Sequence, residues 1–189
     1  MTIPSREIMA AKTRELIERH DEWDSLHAFA TLHWDDGQLR FGTVAMIDPG
    51  ISPDQYPELM RKIAAGQFGK HPDDPPYAYL LQIEAFGCVD PGPDASEEER
   101  RQFDVDRLGR TFHQRADARE IATAYCADIH GRVWSATKAR GEEDRIEEHF
   151  YGPGKSLGGQ FIRALLAVAM TTGMAAHGLR PSRQGETWN

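Results

Sequence analysis

Cysteine is scarce. The chain has two, Cys88 and Cys126, in 189 residues. Neither belongs to a CxxC-like cluster, which argues against a thiolate zinc site and against a secreted disulfide framework. Excess positive charge is missing too. Lys and Arg number 22 against 30 Asp and Glu, a formal net charge of −8, so no basic field draws in nucleic acid or anionic lipid. Long apolar runs are absent as well. The longest uncharged stretch of the segment 157–177 is 164–176, 13 residues, short of the roughly 17–25 needed to span a bilayer. The opening MTIPSREIMAAK carries charges where a signal peptide needs an apolar run. The expectation is a cytoplasmic protein without membrane association. No HExxH and no GxSxG is present.

What is there reads as an ordinary folded chain. Apolar residues make up 40 % and charged residues 28 %, enough to build a core without metal or disulfide support. The acidic residues are interspersed with basic ones, which sets the chain apart from polyanionic mimics of nucleic acid.

The clearest local signal is 119–140, two strands joined by Asp128-Ile129-His130-Gly131. Asp first and Gly last is the chemistry of a type I turn closed by a left-handed residue. Pairing outward sets Cys126 opposite Trp134 and Ala124 opposite Ala136. A second hairpin alternates from Leu26 to Trp34, turns at Asp35-Asp36-Gly37 and returns over 39–47. Helices are predicted over 5–21 and 57–65, and over 96–108 behind the Ser96/Glu99 capping box. A third strand spans 77–86. The acidic run 141–149 reads as a solvated helix or loop. The Ala- and Gly-rich 157–177 reads as a buried helix laid across Ala122, Ala124, Cys126 and Ala136. The predicted architecture is therefore α+β: a single domain over 1–180, a mostly antiparallel five-stranded sheet in the order α-ββ-α-β-α-ββ-α, and an extended tail over 181–189.

Candidate chemistry is thin. Gly154-Lys155-Ser156 matches the last three positions of GxxxxGK[ST], but His149 stands where the first Gly belongs. What remains is a Gly-rich turn before a helix, where Lys155, the Ser156 cap and free N–H groups can hold an anionic small ligand. The commoner role of such a turn is a plain capped helix start. His27 and His33 share one face of the first strand, about 20 Å apart along an extended chain, too far to share a metal ion. Either can pair with Glu84 to make an acid–base or metal site, although sheet histidines without such a role are commoner. His130 at the turn tip is a candidate partner contact. Ala169 and Gly173 form a small-residue pattern that favours self-association. The functional expectation is an accessory protein acting by binding, as a homo-oligomer or toward another protein, with no cofactor and no metal. The alternative is a small enzyme or sensor holding a nucleotide-like or phosphorylated ligand at the 152–159 turn.

Overall fold

A computed structural model describes residues 3–178 apart from 36, 71, 72, 89, 110, 143, 156 and 158. The tail expected over 181–189 and the Ser156 cap lie outside the described residues. Helix α1 (Arg6–Glu18) is capped by Ser5, whose hydroxyl accepts the Ile8 N–H at 3.3 Å. It buries Met9, Thr13 and Ile17, one residue per turn on a single stripe. Strands β1 (His27–Asp35) and β2 (Gln38–Ile47) follow as a hairpin. Helix α2 (Tyr56–Lys70), strand β3 (Ala78–Gly87) and helix α3 (Glu97–Gly109) come next. Strands β4 (Arg119–Asp128), β5 (Val133–Ala139) and β6 (Ile146–Tyr151) complete the sheet. Helix α4 (Gln160–Val168) runs on through a π-turn (Ala169–Gly173) into Met174–Ala176. None of the described helices is long and apolar enough to cross a membrane.

The fold is α+β with one antiparallel sheet in the order β2-β1-β3-β4-β5-β6. Among the described residues it has six strands, not five. The extra one is β6, which overlaps the end of the acidic stretch 141–149 expected to be solvated helix or loop. Its pattern is Ile146, Glu148 and Phe150 on one face, with Phe150 packing on Trp134 at 5.3 Å between ring centroids. An edge strand needs only one partner strand and one apolar face, so the glutamates stay in water while the strand still pairs.

Both faces of the sheet are covered. Ala30, Leu32, Ala78, Leu80, Ala122, Ala124, Cys126, Trp134 and Ala136 share a cluster with Met9 and Ile17 of α1. Phe29, Tyr79, Leu81, Ile83, Ala127 and Val133 pack on the other face with Tyr56 and Met60 of α2 and with Ile162, Leu165 and Val168 of α4. This corrects the expected placement of the C-terminal helix. The small face of the β4–β5 hairpin belongs to α1, and α4 lies on the opposite side. The hairpin itself has the expected register, Cys126 against Trp134 and Ala124 against Ala136, and Gly131 takes the expected left-handed conformation at φ +76°. The Ala169/Gly173 pair is used inside the molecule. Ala169 is buried, and a Cβ on Gly173 would lie 2.7 Å from Ile129 Cγ2 and 3.1 Å from Tyr79 Cε2.

Candidate functional site

His33 stands at the centre of a polar chain on β1. Its Nε2 shares a 3.1 Å hydrogen bond with the Thr31 hydroxyl, and its Nδ1 lies 3.1 Å from Asp74 Oδ1. Asp74 also pairs with Arg40. Hydroxyl, imidazole and carboxylate in that order is the arrangement that activates a nucleophile. Here the hydroxyl is closed off. Thr31 is buried and accepts the Thr43 N–H at 3.0 Å, and Gly42 lies directly over Thr31 Oγ1 and His33 Nε2. Pairing shows why: Ala30 faces Val44 while Leu32 faces Phe41, so Gly42 and Thr43 together oppose Thr31 in a β-bulge. The chain braces the bulge and has no room for a substrate carbonyl.

The structure sets the Glu84 side chain on the opposite face of the sheet from the β1 histidines, although the main chain and the charge of Glu84 both act on His27. Residues paired across strands share a face, and Glu84 pairs with Ala122 on the α1 side, whereas His27 follows Phe29 on the other. Glu84 instead accepts hydrogen bonds from the Asp24 and Ser25 N–H groups and the Ser25 hydroxyl, and its Oε1 lies 3.2 Å from His20 Nε2. The buried Lys138 amine donates to the His20 carbonyl, which ties the end of α1 to β5. His27 bonds through Nδ1 to the Tyr56 hydroxyl and so fastens α2 to β1. Burial holds the imidazoles of His20 and His27 below the ordinary histidine range. Sequence reasoning missed His20, Asp74 and Lys138 as partners, because each joins residues far apart in the chain.

His130 sits at the hairpin tip, its N–H donating to Asp128 Oδ1 at 3.0 Å and its ring 5.7 Å from that of Tyr77. Burial lowers its pKa, with His177 and Arg132 pushing the same way and Asp128 opposing. It is a half-buried member of the tip.

Gly154 and Lys155 lie on an exposed turn closed by the Lys155 N–H to the Gly152 carbonyl, at 3.3 Å. The helix starts later than that turn: Gly159 is the N-cap and Gln160 the first helical residue. Gln160 Nε2 donates to Asp54 Oδ1 at 3.1 Å, which places a carboxylate of the chain itself beside that helix end.

An open cleft of about 550 Å³ at the far end of β4 and β5 is floored by Ile121, Thr137 and Ala139. Four of its ionic groups form two pairs, Arg119 with Glu142 at 2.5 Å and Arg145 with Glu147 at 3.0 Å. Among the described residues no group of three or more His, Cys, Asp or Glu side chains is arranged to hold a metal ion.

The remaining feature is a sheet edge. Among the described residues β2 and β6 are the outer strands, and they differ in chemistry. β6 reads Ile-Glu-Glu-His-Phe-Tyr, with Glu147, Glu148 and His149 exposed. In β2, residues 41–47 carry no charge, and Val44 and Met46 are 53 % and 57 % exposed. Both sit on the α1 side, opposite Ala30 and Ala28, beyond the reach of the helix, and Leu26 beside them is 48 % exposed. No protein-family model, no curated protein and no solved structure matches this chain.

Proposed function

We propose that this protein acts by binding another polypeptide, which adds as a strand along the free edge of β2. The observation that supports the reading is the uncharged run 41–47 on an outer strand, with Val44, Met46 and Leu26 exposed beside it. An outer strand presents a row of N–H and C=O groups that template further pairing, and proteins blunt such edges with charge, proline or a covering element. β6 is blunted by charge. β2 has a bulge at Gly42–Thr43 but neither charge nor proline from there to its end at Ile47. Main-chain hydrogen bonds to a partner strand supply affinity, and the exposed apolar side chains supply selectivity.

Amide hydrogen exchange in dilute protein tests the edge directly. The outward-facing amides among residues 43–47 are expected to exchange as fast as those of surface loops, while the amides paired to β1 exchange slowly. Uniform slow exchange along β2 at a dilution where sedimentation gives the mass of one chain means that the chain already covers its own edge, and the proposal fails.

A further inference from the structure

We infer that the strand added to β2 is β2 of a second copy, paired antiparallel about a two-fold axis through Ala45. The inference rests on the reading that this edge accepts a strand. A two-fold axis perpendicular to the sheet keeps the α1 face of both copies on one side. Directly opposed residues of antiparallel strands point to the same face, so the axis must pass through a residue position rather than between two. Three positions lie within the uncharged, exposed part of the strand. An axis at Val44 sets Met46 opposite Gly42 at the bulge, and an axis at Met46 sets Val44 opposite the charged Asp48. An axis at Ala45 sets Val44 against Met46 of the second copy, and Met46 against its Val44. Leu26 of each copy flanks the four side chains, because it precedes β1 on the same face. The exposed apolar side chains of one copy are thus covered by the same residues of the other, which is the requirement of an isologous interface.

Charge favours the same choice. Each chain carries a net −8, so copies repel at long range, and a contact surface free of like charges adds no further repulsion. On the β6 edge, an axis at Glu147 or at Glu148 would oppose that glutamate with itself and hold the other close to its own copy. The β2 edge between residues 41 and 47 has no charge to oppose.

The experiment is sedimentation equilibrium of the whole chain from low to high micromolar concentration. The expected mass rises from 21.3 kDa toward twice that value. Val44→Lys and Met46→Lys should each hold the mass at one chain; both positions are more than half exposed, and an unchanged melting curve verifies that the fold is kept. Ala45→Cys in a Cys88→Ser background should cross-link two copies on oxidation, since Cα atoms paired across antiparallel strands lie about 4.5–5.5 Å apart. A wild-type mass of one chain at every concentration overturns the inference. With fast-exchanging β2 amides it leaves strand addition by a different partner standing; with protected amides it removes both. A dimer that persists in both lysine variants places the contact elsewhere and also overturns the inference.

Discussion

Asp128 shows how much one turn residue can hold. It is wholly buried, and its carboxylate accepts the N–H groups of His130 and Arg132, each at 3.0 Å, and the Arg132 Nε–H at 2.7 Å. Tyr77 donates its hydroxyl to the same carboxylate at 3.3 Å. Arg132 goes on to donate to the Tyr77 hydroxyl and the Pro4 carbonyl, and its guanidinium lies 5.1 Å from the Trp134 ring centroid. Removing one partner of a buried pair leaves the other charge uncompensated, so Asp128→Ala is expected to cost about 3–5 kcal/mol. Urea unfolding measures it, and a loss below about 1 kcal/mol, the range of an exposed pair, would show that water satisfies Arg132. Gly42 is the second sensitive position. A methyl group there meets the Thr31 hydroxyl and the His33 ring, so Gly42→Ala should destabilise by about 1–3 kcal/mol through overpacking. An unchanged urea midpoint would mean that the bulge relaxes freely. Asp128 is legible in the sequence as turn chemistry. Its pairing with Tyr77 is not, because 51 residues separate them.

The elements divide into those that local pattern defines and those that only packing defines. Both hairpins were legible: period-two alternation with an Asp-to-Gly turn leaves few other conformations for either stretch. β6 was hidden because three of its six residues are Glu, Glu and His, which mask the Ile146/Phe150 alternation. The face on which each helix lies was hidden for another reason. β4 buries Ala122, Ala124 and Cys126 on one side and Thr123 and Ala127 on the other, so small residues on a hairpin do not tell which helix comes to them. Helix α1 takes the small face, and that assignment has a measurable consequence. Ala124→Leu should cost about 1–3 kcal/mol by overpacking beneath α1. Met9 belongs to the same buried cluster, so Met9→Ala made in the Ala124→Leu background should cost less than it does alone, since residues that share a packing site do not add. Strict additivity of the two losses in thermal or urea unfolding would move Met9 away from Ala124.

Across the whole molecule, buried and half-buried histidines fasten α1, α2, the C-terminal helix and the hairpin tip. His20 links the end of α1 to β3 through Gln82 at 2.8 Å, and His27 links α2 to β1. His177 shares a hydrogen bond with the Pro76 carbonyl at 3.0 Å beyond the last turn of the C-terminal helix, and His130 sits in the hairpin tip. Burial is the largest influence on all four, and it lowers each pKa from the ordinary value of 6.5. The unfolded chain therefore takes up protons at these positions before the folded one does. Where the unfolded state binds more protons, stability rises with pH. The stabilisation is complete well above pH 6.5 and is lost as pH falls from that value toward the depressed values of the folded state. Carboxylates whose pKa is lowered, such as Glu15 and Asp74, respond only at or below the ordinary carboxylate range, about pH 4. The interval between the two ranges thus belongs to the histidines. The expected outcome is a melting temperature that falls between pH 7.5 and pH 5.5. His27→Gln should flatten part of that slope while lowering the value at pH 7.5, because it removes a titrating group together with its bond to Tyr56. A melting temperature constant over the interval would show that these imidazoles accept protons in the folded protein as readily as in the unfolded chain, and that the seams they occupy are open to water.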